Sequence, residues 1–368
     1  MKINRLVLKD FRSYESLDLS FQNNLHIIFG RNGEGKSNLI EAINYLNLAR
    51  SYRVKENIHL IRKSCPECLI KANFEVFGIN KDIEIEIKQK GKRISINGNP
   101  IKKVSELAKL VNIILFIPED CNLFKSSPSD RREFLDEAIS KFSPNYLDYL
   151  SHYKSSLKQR NSLLKEEVID FNLLEVYEKQ LVELGLIIDE FRDNYVKRIN
   201  QVLPNLLNSL RDDDSSIMIE FNPVFLGRSN EELLEKYVSM RNIDIASKVT
   251  NFGIQKEDFT LLFNEQDISV YGSQGENRLA ALALKLAPYY LIDEDNKPIV
   301  ILDDVLSELD EKHQENLLKL VKSFKQVFIT SVNKINVENA TYIEVVNHKA
   351  EILGGSFDGR WRNQNKFV

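Results

Sequence analysis

The 368-residue sequence predicts an α/β P-loop head interrupted by an inserted, mainly helical second domain. Three observations carry that prediction. Gly30-Arg-Asn-Gly-Glu-Gly-Lys36-Ser37 matches the phosphate-loop pattern G-x-x-x-x-G-K-[ST]. A second apolar run, Ile299 to Leu302, ends in the paired carboxylates Asp303 and Asp304. Ser37 and Asp303 stand 266 positions apart (303 − 37), and from about Pro144 the composition between them turns rich in Leu, Lys, Glu and Tyr. The expected division is a first head segment over 1–140, a helical insertion over 141–250 and a second head segment over 251–368.

The phosphate loop has the context it needs. "LHIIF" before Gly30 is a short apolar run with β-branched residues, the pattern of a buried strand. After the loop, Leu39, Ile43 and Leu46 keep helical spacing, and Ile40 and Ala42 widen the stripe. Gly30, Gly33 and Gly35 let the backbone turn so that its N–H groups face phosphate oxygens at a helix N-terminus. The expected nucleotide-binding residues are Gly30, Arg31, Asn32, Gly33, Glu34, Gly35, Lys36, Ser37 and Asn38. Lys36 is expected to reach the β- and γ-phosphates, and the Ser37 hydroxyl to bind Mg²⁺. Asp303, ending its strand, suits a Walker B aspartate that shares the Mg²⁺ with Ser37. Asp304 then polarises the attacking water, so Asp304 and Lys36 are the expected catalytic residues. The cofactors are ATP and Mg²⁺.

In "VYGSQGENRLAALALKLAPYY", Leu282, Leu284 and Leu286 alternate as a strand would, but Leu279, Ala283 and Leu286 also fit a helix. Ala, Leu and Lys are strong helix formers, which favours the helix. The stretch resembles the signature motif of ATP-binding-cassette ATPases, which implies that Ser273, Gln274 and Gly275 grip the γ-phosphate bound to a second subunit. "LSELD", Leu306 to Asp310, resembles the cassette D-loop, placing Ser307 and Asp310 at a dimer interface. "KQVFITSVN" supplies a further strand ending at Thr330 and Ser331, either of which could sense the γ-phosphate where many cassettes use histidine.

Taken in order, "INRLVLKDFRSYESLDLSF", "GRNGEGKSNLIEAINYLNLARSYR", "FIPEDCNLFKSSPSDRREFLDEAIS", "GSQGENRLAALALKLA" and "VILDDVLSELD" resemble the RecF family, ATPases related to SMC heads. The resemblance implies an ABC-type ATPase head and an ATP-dependent homodimer that closes on DNA at single-strand gaps. It also implies RecO and RecR as partners and weak, DNA-dependent ATP hydrolysis. One departure is Glu276, where the family usually has glutamine; a carboxylate there stands close to the incoming phosphate. The rival expectation is an SMC-like tether or a transporter motor subunit.

Before the insertion, "RLVLKDF", "SLDLSF", "LHIIF", "LIKANFEVF", "DIEIEIK", "RISING" and "IILFI" read as strands. Ile83, Ile85 and Ile87 alternate with acids, giving one buried and one wet face. Within the insertion, Leu174, Tyr177, Leu181, Leu184, Ile188, Phe191, Tyr195, Ile199 and Val202 step by threes and fours. They predict a helix of about thirty residues. An earlier helix bearing Leu147, Leu150, Leu157 and Leu164 is expected to pack against it as a hairpin.

Composition narrows the partners. The net charge of −4 gives no global basic field, so any nucleic-acid site must be a local patch. The candidate is "KQKGKRISINGNPIKK", a hairpin carrying Lys90, Lys92 and Arg93, which an edge strand guarded by lysines would also explain. Arg131 and Arg132 open a helix against its dipole, pointing to a partner or to salt bridges between head and insertion. Three cysteines exclude a disulfide framework, and Cys65-Pro-Glu-Cys68 lacks the second pair that zinc needs. The five histidines have no catalytic or ligand spacing. No apolar run is long enough to span a membrane and no signal peptide is visible, so the expected location is cytoplasmic.

Overall fold

The computed structural model describes residues 1–143 and 145–353; Pro144 and the end of the second head segment, 354–368, lie outside the described residues. A six-stranded sheet forms the centre. Its core is the parallel set β3 (Leu25–Phe29), β8 (Ile113–Phe116), β12 (Ile299–Leu302) and β13 (Val327–Ser331), buried at every position. Strand β14 (Thr341–Val346) joins beside β3, and β15 (Lys349–Leu353) folds back on it, giving the order β15-β14-β3-β13-β12-β8. Continuous apolar runs produce this layer because both faces are covered.

A second, antiparallel sheet comprises β1 (Lys2–Phe11), β2 (Tyr14–Ser20), β4 (Glu67–Val76), β5 (Ile79–Lys88), β6 (Gly91–Ile96) and the two-residue β7 (Asn99–Pro100). Its order is β2-β1-β4-β5-β6-β7. Ile83, Ile85 and Ile87 are buried and the intervening acids are not, as their alternation predicts. Between the sheets lies helix α1 (Lys36–Leu48), whose Leu39, Ile40, Ala42, Ile43 and Leu46 join a core with Ile70, Phe74 and Ile85 on one side and Ile28, Ile301 and Phe328 on the other.

The opposite face of the parallel sheet carries the helices. The principal ones are α3 (Pro128–Phe142), α4 (Tyr146–Leu163), α5 (Phe171–Arg211), α6 (Asn230–Ser247), α8 (Gln274–Leu286) and α10 (Glu311–Val321). Short helices α2 (Val104–Ala108), α7 (Ile268–Tyr271) and α9 (Pro288–Leu291) fill connections. The α4–α5 hairpin forms as expected, but α5 runs for 41 residues, past Val202 and through Pro204. Proline removes one backbone bond there, yet Leu203, Leu206, Leu207 and Leu210 are all buried and hold the helix together by packing. Gly185, inside α5, is required by close approach: a β-carbon there would stand 2.2 Å from the Phe225 ring.

Two strand regions have no counterpart in the sequence analysis. One is the β14–β15 hairpin. The other is a small sheet in which β9 (Ile217–Phe221), inside the segment expected to be helical, pairs with β10 (Phe259–Phe263), beside the short β11 (Gln266–Asp267). The Asn200 amide of α5 docks on this sheet, donating to Ile219 O and accepting from Ile219 N–H at 2.8 Å each. One apolar core then runs from Tyr146, Leu150 and Tyr153 through α5 to α8 and the sheet residues Val300 and Leu302. The helices form a packed lobe on the head.

An ion pair and a hydrogen bond at the edge of this core explain Arg131 and Arg132. Arg131 forks onto Asp258, and Arg132 donates to Glu257 O at 2.7 Å. Glu257 also takes Arg192, which reaches Asp136 at 2.8 Å. Beside them Asp189 is fully buried, and its Oδ2 accepts the Phe225 N–H at 2.7 Å. Burial, then the neighbouring Glu257 carboxylate, push the Asp189 carboxyl up to about 8. The folded chain therefore holds a proton that the unfolded chain releases near pH 4, and stability from this group falls as pH rises from about 4 to about 8. Asp189→Asn keeps a donor toward Glu257 and should flatten that slope. Melting temperatures across the same pH range check this; parallel curves for parent and variant would refute it.

Candidate nucleotide site

Strand β3 delivers the chain to the phosphate loop, and α1 begins at Lys36 directly after it. Gly30 sits at φ +156°, and a β-carbon there would stand 2.2 Å from the Val345 carbonyl oxygen, so only glycine lets β14 pass. Gly35 sits at φ +117° as the helix N-cap, its carbonyl accepting from the buried Tyr14 hydroxyl at 3.1 Å. The loop is clasped by its own lysine: Lys36 Nζ donates to Gly30 O at 2.6 Å and Arg31 O at 3.1 Å, with Asn32 Oδ1 at 3.5 Å. Burial lowers the Lys36 pKa, opposed by Asp304, Asp303 and Glu34, so the two strand-end carboxylates lie within electrostatic reach of the ammonium.

Asp303 ends β12 and is buried. Burial raises its pKa, while the Thr330 and Ser37 hydroxyls pull it down. Thr330, fully buried at the end of the neighbouring β13, divides the carboxylate pair. Its hydroxyl donates to Asp303 Oδ1 at 2.6 Å and accepts the Asp304 N–H at 2.8 Å. Thr330 thus orients the Asp303 carboxylate and anchors the Asp304 backbone. Asp304 adopts φ 50°, the left-handed region that a β-carbon disfavours, at the start of a 3₁₀ turn over Val305–Glu308. Among the described residues no hydrogen bond holds its carboxylate, which stays available to a water molecule.

Side chains without a part in the sequence analysis fix this arrangement. Glu41 of α1, fully buried, is gripped by Arg12 through two hydrogen bonds of 2.8 and 2.7 Å, by Ser51 at 2.5 Å and by Arg53 at 3.3 Å. Arg53 also donates to Asn38 Oδ1, and Asn38 donates to Ser13 Oγ, each at 2.8 Å. The β1–β2 turn is thus tied to the start of α1. On the other side, the Glu34 carboxylate accepts the Asn347 N–H and its carbonyl accepts the His348 N–H, so the β14–β15 tip braces the loop.

The signature residues lie at the start of α8. Ser273 is the N-cap, and Ser273, Gln274 and Gly275 are all exposed. Among the described residues no hydrogen bond joins them to the phosphate loop of the same chain. In the D-loop, Ser307 Oγ donates to Asp304 O at 2.8 Å, and Asp310 caps α10 by accepting the His313 N–H at 2.9 Å. Arg278 of α8 holds Glu308 through both its carbonyl and its carboxylate, joining signature helix and D-loop into one body.

The basic hairpin behaves differently from its sequence. Lys90, Lys92 and Arg93 are all exposed, and Lys92 Nζ also donates to Ala49 O, the C-cap of α1, and lies 5.7 Å from the Tyr45 ring centroid. Lys92 is a structural cap here.

The model of the RecF/RecN/SMC N-terminal domain matches residues 2–352. The DNA replication and repair protein RecF of Halalkalibacterium halodurans is 34% identical over 95% of this chain and 98% of its own. The RecF of Clostridioides difficile is 34% identical over 94% of this chain and 99% of its own. A structure of the recombination mediator protein RecF with ATP, from the RecFOR pathway, superposes with a TM-score of 0.88 at 32% identity, covering 95% of this chain and 97% of that one. The Smc head of Pyrococcus furiosus, 18% identical with a TM-score of 0.57 and 95% of both chains covered, shares the fold.

Proposed function

This chain belongs to the RecF family, and we propose that it acts in DNA replication and repair as an ATP-gated DNA-binding protein. Two copies sandwich two ATP molecules, each between one phosphate loop and the partner's Ser273-Gln274-Gly275. Closure shapes a DNA-binding surface at gapped duplex, and slow, DNA-dependent hydrolysis reopens it. RecR and RecO are the proposed partners, in the cytoplasm. One observation carries the reading: Lys36, Ser37, Asp303 and Asp304 assemble in one chain while the signature residues stand exposed and unconnected to them. Such a site is completed by a second copy.

The residues also fit Mg²⁺. Ser37 and Asp303 present hard oxygen donors, and Thr330 occupies only one Asp303 oxygen. Among the described residues no group of three acidic or soft ligands forms a closed cage, which matches a cation bound by one carboxylate, a hydroxyl and substrate phosphates. Bound there, Mg²⁺ would neutralise phosphate charge. For DNA, Lys90, Lys92 and Arg93 are the exposed members of the proposed patch, with Lys92 also tied to the end of α1. Among the described residues no helix is long and apolar enough to cross a membrane.

Two expected outcomes test the sandwich. Lys36→Ala removes both the loop's clasp and the point charge on the phosphates, and should weaken ATP binding by about 1.5–3 kcal/mol. Calorimetric titration checks it; unchanged affinity would sink the phosphate-loop assignment. Ser273→Arg should leave ATP binding by the single chain intact and abolish the ATP-dependent doubling of mass. If the variant still doubles, the signature assignment is wrong.

A further inference from the structure

Ser273 and Glu276 form a reciprocal cap at the start of α8. Glu276 N–H donates to Ser273 Oγ at 3.3 Å, while Glu276 Oε2 accepts the Ser273 N–H and hydroxyl, both at 2.8 Å. A serine hydroxyl has one proton, and here it points at the carboxylate. Both donors of Ser273 are therefore taken by a single anionic oxygen, on the exposed turn that the proposed function assigns to the partner's γ-phosphate.

We propose that Glu276 is an internal stand-in for the γ-phosphate, one that must release Ser273 before the ATP sandwich can close. The inference rests on the sandwich reading above and deepens it. Capping alone does not require the charge, because glutamine closes the same reciprocal cap with its amide oxygen as acceptor. What the carboxylate adds is a negative charge at a helix N-terminus, where it gains from the dipole and competes with any second anion. The hydrogen bonds from the Ser273 N–H and hydroxyl hold the carboxyl below the usual range, keeping it ionised at neutral pH. In the open chain the signature is thus capped and anionic. In the closed dimer the Ser273 hydroxyl turns to phosphate and the Glu276 side chain swings into solvent. Glu276 is a positioning residue that sets how much protein and nucleotide closure needs.

The test compares the parent with Glu276→Gln and Ser273→Arg by sedimentation with a non-hydrolysable ATP analogue. Melting temperature is read in parallel to confirm that the glutamine cap holds. Glu276→Gln should dimerise at about tenfold lower protein concentration, the scale of one charge at a helix terminus. Raising the salt should narrow that gap, because screening weakens the anion–anion repulsion. Dimerisation of Glu276→Gln at or above the parental concentration overturns the proposal. If Ser273→Arg blocks the dimer while Glu276→Gln matches the parent, the role of Glu276 alone fails. If Ser273→Arg dimerises normally, the sandwich reading fails and the stand-in falls with it.

Discussion

Asp304→Asn is expected to cut ATP turnover by about a hundredfold or more, the range for loss of a positioned general base, while the variant still binds ATP. The geometry separates the two aspartates. Asp303 is buried, fixed at Oδ1 by Thr330 and faced by Ser37, the surroundings of a cation ligand. Asp304 is held through its backbone, by Thr330 at its N–H and Ser307 at its carbonyl, and its strained φ of 50° turns the side chain away from the strand. A carboxylate fixed by its backbone but free at its oxygens can take up a water. The asparagine keeps shape and loses the basic oxygen, so the variant should accumulate as a closed dimer and stay on DNA longer. Asp303→Asn should instead lose magnesium-dependent ATP binding or closure. Single-turnover hydrolysis with magnesium titration separates them. Parental turnover in Asp304→Asn, or identical behaviour of the two variants, would end this division of roles.

The chemistry of the site was legible because it is local. The apolar run of β3, the glycine spacing and the helical stripe after Lys36 are contiguous, and so are the run of β12 and its two aspartates. The helix after Ser273 was legible for the same reason, since its spacing and its Ala, Leu and Lys content are local. What escaped depends on partners far along the chain. Thr330 reads as the end of a strand, and only its pairing beside β12 gives its hydroxyl two aspartates to serve. Arg12 and Glu41 are 29 residues apart and lie in different elements, so no periodicity joins them. In the basic hairpin, the bond from Lys92 to the end of α1 spans 43 residues, so no local pattern shows it. The repeat that predicts α5 stops at Val202, whereas four buried leucines carry the helix on through Pro204 by packing. Strand β9 is five residues long with an Asn200 side chain as one neighbour, and no alternation over so short a run outweighs the helical pattern before it.

The same long-range logic predicts the largest loss of stability, at Arg160. Its side chain is fully buried, yet it joins three helices and a loop. Nη1 of this α4 residue donates to Asp244 of α6 at 2.8 Å and to the Thr250 hydroxyl at 2.7 Å, and Nη2 donates to Glu178 of α5 at 2.9 Å. Glu178 has a second partner in Arg241, and Asp244 takes the Asn251 N–H and side-chain amide, so every carboxylate oxygen is satisfied. Arg160→Met matches the length of the stem and leaves buried Asp244 with no guanidinium and Glu178 with Arg241 alone. Breaking such a pair from one side costs about 3–5 kcal/mol, because the charge left behind has neither water nor counter-ion. Neutralising the orphaned Asp244, and Glu178 beside it, should recover much of this: Arg160→Met with Glu178→Gln and Asp244→Asn should be more stable than Arg160→Met alone, although it has fewer ionic contacts. Urea denaturation of parent, single and triple variants measures both effects. A loss below about 1 kcal/mol in the single variant, the size of an exposed pair, would show that water reaches the network. A triple variant no better than the single would show that the guanidinium's packing against the Tyr237 ring, 5.3 Å away, and not its charge, holds the lobe. Because α5 continues from this network into the core it shares with α8, the lobe and the signature helix should unfold in a single transition.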